Sequence, residues 1–375
     1  MQNTKSLIKL SLFDELPSKL IFFLIKHFKE AHKVFEVQES EFNSALSLFK
    51  ASGGYYRGDI YTLIHQENRF NHSQLNRTLD WLEEEHNQIL SIFDSDYPPL
   101  LKKIPDPPVL LYLRGKRETI SKPCIALVGS RKSTYHSNFT ARSFAKGFAN
   151  SGFCVVSGMA RGIDSNAHIG ALSSTSDMST IAVMGCGLDI TYPIENESLS
   201  EEIAQKGLLI SEYALGTEPK NFHFPARNRI IAGLSLGVVV VEAAKKSGSL
   251  YTAELAMTNG RDVFAVPGSI LTDFHKGCHN LIQQGAMLAD TAEFVIKNIA
   301  WGDGKIKESD LLGHSEIRNV HHPLDSIGYH EFTISDLVYS LGMPIDAAIE
   351  NLINWEIEGR ITKLSNGNYQ KAINC

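Results

Sequence analysis

Between residues 122 and 300 the sequence alternates short apolar runs with helix-like stretches, and that alternation restricts the fold more than any other feature. Strand-like runs fall at 125–128, 154–157, 181–184, 208–211, 237–241 and 263–266. Helical patterns at 138–150, 164–171, 199–205, 227–234 and 252–258 lie between them. Strands that alternate with helices predict an α/β architecture: a Rossmann-like, doubly wound, mostly parallel sheet. Val238-Val239-Val240-Val241 is apolar without a break, as a strand covered on both faces requires. In such a sheet ligands gather at the carboxyl ends of the strands, where every Gly-rich loop of this region falls.

Two of those loops pair glycine with arginine: Val128-Gly129-Ser130-Arg131, then Ser157-Gly158-Met159-Ala160-Arg161-Gly162-Ile163-Asp164. Gly129 and Gly158 let the backbone approach an anion, the amides that follow can point at phosphate oxygens, and Arg131 and Arg161 add charge-assisted contacts. The alternative is a pair of turn glycines with solvated arginines. Gly185-Cys186-Gly187 begins a dinucleotide-type string, but Ile190 replaces its third glycine, and no GxxxxGK[ST] string is present. A Walker-type NTPase is therefore not expected.

Phe222-His223-Phe224-Pro225-Ala226-Arg227-Asn228-Arg229 interleaves aromatic and basic side chains at a helix start, with Lys220 just before it. Aromatic rings beside phosphate-binding cations suit single-stranded nucleic acid. The competing reading places the phenylalanines in the core and pairs the arginines with Glu212 or Glu218. Ser247-Gly248-Ser249-Leu250-Tyr251-Thr252-Ala253, after Glu242 and Lys245-Lys246, is either a third anion cradle or a capping turn. Arg131, Lys132, Arg161, Lys220, Arg227, Arg229, Lys245 and Lys246 all fall at expected ligand loops, so a basic groove is predicted on a chain whose formal net charge is −6.

Other constellations are weaker. Asp164 and His168 share a helix face and read as an acid–base pair or as a cap with a packed histidine. His275, Cys278 and His279 share another face and read as metal ligands or as packing. Neither is joined by a nucleophile or a full ligand set, so no catalytic residue, metal or cofactor is assigned, and the protein is not expected to be an enzyme.

The rest of the chain suggests four parts. Residues 1–90 read as a helical domain, and 91–300 as the Rossmann-like domain, entered through the proline-rich stretch 97–108 and a short strand at 109–113. Residues 301–330 read as a linker by composition. Residues 331–375 read as a small winged-helix-like domain, with helices at 334–341 and 344–358 and a hairpin from 360–364 to 369–371. Helix 344–358 carries Asp346, Glu350, Glu356 and Glu358 and neither Lys nor Arg, so it would repel phosphate. Five cysteines without a CxxC pair fit small core hydrophobes in a reducing cytoplasm. The run Leu20–Ile25 reads as a helix face instead of a signal peptide, and no segment is long enough to span a bilayer.

Taken in order, several motifs also match a family. They are Tyr97-Pro98-Pro99-Leu100, Asp106-Pro107-Pro108, the two glycine–arginine loops, Ala167-His168, Tyr192-Pro193 with Glu195-Asn196, and Phe224-Pro225 with Arg227-Asn228-Arg229-Ile230-Ile231-Ala232-Gly233-Leu234-Ser235. Val241-Glu242-Ala243 with Ser247-Gly248-Ser249-Leu250, and Ala265-Val266-Pro267-Gly268, complete the set. Over residues 95–290 the chain resembles the DNA-processing protein A (DprA/Smf) family. The resemblance implies a cytoplasmic single-stranded-DNA-binding protein that protects incoming DNA in natural transformation, loads the RecA recombinase and forms a homodimer. It implies that Arg131, Lys220, Phe224, Arg227, Asn228 and Arg229 line the strand groove, with Gly129, Ser130, Gly158, Ser247 and Gly248 offering backbone or hydroxyl contacts. From the residues themselves, Arg161, Phe222 and Lys245 join this set. His136 departs from the family, which usually has glycine there. The alternative is a nucleotide-binding or nucleotide-hydrolysing enzyme on a related scaffold. The Pro-Gly-Gly-x-Gly-Thr-x-x-Glu signature of nucleoside-monophosphate phosphoribohydrolases is absent.

Overall fold

A computed structural model describes residues 2–13, 15–66, 70–299, 332–341, 344–357, 360–364 and 367–371. The stretch read as a linker, 301–330, lies outside the described residues. The chain forms two compact units, Met1–Leu311 and Leu312–Cys375.

The first unit is built on a nine-stranded sheet. Its strands are β1 (Asn87–Ser91), β2 (Leu110–Gly115), β3 (Cys124–Val128), β4 (Cys154–Ser157), β5 (Thr180–Val183), β6 (Leu208–Ser211), β7 (Gly237–Val240), β8 (Asp262–Ala265) and β9 (Met287–Leu288). Their spatial order is β1-β2-β6-β5-β4-β3-β7-β8-β9. All neighbours from β6 to β9 pair parallel, whereas β2 pairs antiparallel with β6 and with β1. The six anticipated runs are thus strands of a parallel sheet, and β1 and β9 were not anticipated.

Burial explains why the central strands are apolar throughout. Ala126 and Val128 of β3 pack into one core, whereas Ile125 and Leu127 pack into the other. Val238 and Val240 of β7 are divided from Val239 in the same way. Side chains alternate faces along a strand, so a sheet with helices on both sides needs apolar residues at every position. On one face, Tyr135–Asn150, Ile163–Leu172 and Ala292–Asn298 supply Phe144, Phe148, Ala167 and Val295. The opposite core continues from Ile230 and Ile231 to Leu90 and Tyr112 of the antiparallel edge. It then reaches the N-terminal helices through Leu24 and Phe42. Residues 2–81 do fold mainly as helices (Gln2–Ser11, Ser18–Phe28, Glu39–Ala51, Ile60–His65 and His72–Trp81), and they share this core with the sheet.

In the second unit, helices Ile334–Leu341 and Ile345–Ile357 precede an antiparallel pair, β10 (Ile361–Lys363) and β11 (Tyr369–Lys371). Phe332 bridges to Tyr369, and a small core gathers Leu337, Ala348, Leu352 and Trp355. Helix Ile345–Ile357 turns Ile345, Ile349 and Ile353 outward.

Candidate functional site

Strand β3 marks the point where the sheet reverses direction. From it the chain winds through β4, β5 and β6 on one side, then returns to β7, β8 and β9 on the other. The crevice at the carboxyl ends of β3 and β7 is therefore the topological switch point, where doubly wound sheets bind ligands. A cleft of about 760 Å³ lies there. Gly129, Ser130, Arg131 and Lys132 contribute one wall, and Lys246, Ser247, Gly248 and Tyr251 another. Asn221, Phe224, Arg227 and Asn228 face them, and Ala160, Asp164 and Thr252 are among the other lining residues.

The loop after β3 is fastened to the exit of β7. Ser130 N donates to Glu242 O at 2.8 Å. Thr134 donates through its N and Oγ1 to Glu242 Oε2 at 2.9 and 2.7 Å, and it caps helix Tyr135–Asn150 by accepting from Ser137 N. Gly129 is required by close approach: a Cβ there would lie 2.6 Å from Ile163 Cγ1 and 2.9 Å from Glu242 O. Held in this way, the loop leaves Arg131 exposed, with its Cζ 5.3 Å from the Phe224 ring centroid. That is cation–π range.

The loop after β4 is occupied by the protein itself. Gly158 N donates to Asp164 Oδ2 at 3.2 Å, and Gly158 O accepts from Arg227 Nη1 at 2.6 Å. Arg227 Nη1 also donates to Val183 O, and its Nε donates to Asn228 Oδ1 at 3.1 Å. A Cβ on Gly158 would collide with the Arg227 guanidinium. Arg227 is 4% exposed and Asp164 6%. Burial pushes the Asp164 carboxyl above the usual carboxylate range, with the Arg227 charge pulling the other way. Arg227 therefore forms the cleft's floor, a strut between the carboxyl ends of β4 and β5. Arg161, farther along the loop, is exposed and paired with Glu195.

The other expected residues divide similarly. Lys220 is exposed, with Nζ 6.0 Å from the ring of Phe222, which is also exposed. Arg229 is bound up with Glu212, Nη2 donating at 2.7 Å to both carboxylate oxygens, and with Asp106 at 3.5 Å. This is the internal pairing that competed with a ligand role for the arginines. Lys245 is exposed. Ser247 caps helix Gly248–Thr258 by accepting from Ser249 N, so the turn is both a cap and part of the cleft lining. A Cβ on Gly248 would meet open space.

His168 is a packed histidine. It is fully buried, its Nδ1 lies 2.7 Å from Thr180 Oγ1, and burial lowers its pKa to about 3. It is neutral near pH 7, so it has no proton to give as an imidazolium. Among the described residues no group of three or more His, Cys, Asp or Glu is placed to hold a metal ion. His279 Nε2 instead lies 3.0 Å from Gly268 O, and Cys278 Sγ contacts Val240 O. No described helix is long and apolar enough to cross a membrane. Tyr251 and Thr252, within the loop read as a third anion cradle, line the cleft, and Asn221 was missed as a cleft residue.

A mostly parallel sheet whose switch point presents an exposed arginine, an aromatic ring and a capped helix start defines a Rossmann-like α/β protein. The family model for DNA recombination-mediator protein A matches residues 88–300, more than half of the chain, and the chain belongs to that family. It is 48% identical over 206 residues to DNA processing protein DprA of Streptococcus pneumoniae, covering 55% of this chain and 72% of the relative. The X-ray structure of DprA from Streptococcus pneumoniae superposes with a TM-score of 0.69 at 35% identity, over 80% of this chain and all of that one. DNA processing protein A of Helicobacter pylori, whose structure describes a single-stranded DNA binding mode, gives a TM-score of 0.51 at 31% identity, over 56% of this chain and 93% of that one.

Proposed function

We propose that this protein binds single-stranded DNA in the switch-point cleft, protects it and delivers it to the RecA recombinase during natural transformation. It would do so in the cytoplasm, as a homodimer and without catalysing a reaction. One observation carries the reading. Arg131 is exposed and lies against Phe224, both lining one open cleft. A cation for phosphate beside a ring for a base is what an extended, sequence-tolerant strand requires. Lys246 and the start of helix Gly248–Thr258, across the cleft, supply a second anion-facing wall. Family membership and the single-stranded DNA binding mode of the Helicobacter pylori relative support the same reading.

The test is fluorescence anisotropy with single- and double-stranded oligonucleotides across a salt series, beside a nucleotide-hydrolysis control. Affinity for the single strand should fall with salt at a slope near −0.7 per phosphate neutralised. Salt-insensitive binding, or hydrolysis of a free nucleotide, would favour the enzyme reading. Delivery to RecA is tested separately, by whether the protein speeds RecA filament growth on a strand already coated by a competing binder.

A further inference from the structure

We infer that Tyr192 is a second base-stacking platform, continuing the Arg131–Phe224 stack past the lip of the cleft and across the carboxyl edge of the sheet. The inference rests on the reading of the cleft as a single-strand groove. Tyr192 lies in the loop that follows β5. Its ring centroid is 5.4 Å from that of Phe224 with an interplanar angle of 31°, and the residue is 43% exposed. Phe224 thus has two planar neighbours, the Arg131 guanidinium, which lines the cleft, and the Tyr192 ring, which lies outside its lining. It is also supported from behind by Gly185, where a Cβ would lie 2.9 Å from Phe224 Cδ1.

Arg131 and Tyr192 lie 5.3 and 5.4 Å from the Phe224 centroid, with the two aromatic rings tilted by 31°. Burial does not account for the outer ring, because so much of Tyr192 stays in water. An aromatic face held by a neighbour and left open suits an unpaired base, and stacking of this kind tolerates any sequence. A base would rest on the open face of Tyr192, next to a nucleotide whose phosphate meets Arg131. The strand would then leave the switch point towards β5. Three residues beyond Tyr192, Glu195 already pairs with Arg161, so the contact near Tyr192 is carried by the base instead of the phosphate.

The experiment compares Tyr192→Ala, Tyr192→Phe and Tyr192→Trp in the full chain. Each is titrated with an oligonucleotide and with a strand of equal length carrying abasic sites, and Arg131→Ala is run alongside. Tyr192→Ala should weaken binding to the intact strand by about fivefold or more. Tyr192→Phe should stay within about twofold of the parent, because the ring is kept. On the abasic strand, Tyr192→Ala and the parent should bind alike. Tyr192→Trp should show emission quenching on strand addition beyond that of the parent's own tryptophans, which decides the matter if the alanine variant folds poorly. Unchanged affinity of a folded Tyr192→Ala, an equal loss on the abasic strand, or absence of added quenching overturns the platform. If Arg131→Ala weakens binding and the Tyr192 variants behave like the parent, the platform alone falls. If Arg131→Ala also has no effect, the groove reading falls and takes the platform with it.

Discussion

The two glycine–arginine loops are alike in sequence and opposite in structure. At Gly129 the backbone is pressed against Ile163 and Glu242 so that Arg131 can stand free over an open cleft. At Gly158 the approaching group is Arg227, a residue of the chain itself, whose guanidinium already binds the carbonyls of Gly158 and Val183. A glycine after a strand therefore signals close approach without saying what approaches. In one loop the approaching groups are Ile163 and Glu242, and Arg131 stays exposed at the cleft. In the other it is a buried cation that fixes the spacing of the strand ends.

Predictions that break or sharpen this contrast begin with acid. His168 lies on helix Ile163–Leu172, which follows the filled loop, and is neutral when folded, with a pKa near 3 against an ordinary 6.5. The unfolded chain binds a proton that the folded chain refuses, so this contribution to stability is complete above pH 6.5 and is lost as pH falls. The loss should be about 1.4 kcal/mol per pH unit and should reach about 4 kcal/mol as the folded-state value is neared. Urea denaturation from pH 7 downwards measures it, and His168→Gln should flatten that part of the profile.

Next is Arg227→Met, which strands two carbonyls and leaves Asp164 without its nearby cation. It should lower stability by about 3 kcal/mol in the same assay. If stability held and only DNA affinity fell, the two loops would be equivalent after all. Gly158→Ala should cost about 2 kcal/mol through overpacking, whereas Gly248→Ala, with open space around it, should leave stability nearly unchanged. Arg131→Ala should do the reverse of Arg227→Met. Melting temperature should hold, single-strand affinity should drop about tenfold for every sequence, and the salt slope should lessen by about 0.7. Smallest of all, removal of residues 331–375 should change single-strand affinity by less than about twofold in a gel shift, because helix Ile345–Ile357 offers phosphate carboxylates and no cation.

Much of this arrangement was legible in the residues. Periodicity located the strands from β3 to β8 because each is a nearly continuous apolar run, polar only at an end as at Ser157 or Asp262. The spacing of the Gly-rich loops then put the cleft at their carboxyl ends. Two kinds of information were not local. The strand β1 reads Asn87-Gln88-Ile89-Leu90-Ser91, a half-polar run that becomes a strand only through pairing with β2. The boundary drawn at residue 90 consequently falls inside it. The fate of Arg227 was equally hidden, whereas the pairing of Arg229 with Glu212 was one of two readings the residues left open. Two residues apart on one helix, one lies over Gly158 and the other pairs with Glu212, and both depend on partners brought in by the sheet.

The antiparallel ribbon of β1 and β2 has a practical consequence for dissecting the molecule. It shields the outer margin of β6, pairing with it from Tyr112↔Ser211 to Gly115↔Leu208. A fragment begun after residue 115 would leave that margin as a bare row of amides and carbonyls, a template for strand addition between molecules. Asn87 anchors the ribbon further back, its Nδ2 donating to Trp81 O and to Glu84 Oε2. The shortest well-behaved piece of this protein therefore starts upstream of Trp81, so part of what reads as an N-terminal appendage is the selvedge that keeps the sheet from unravelling into its neighbours.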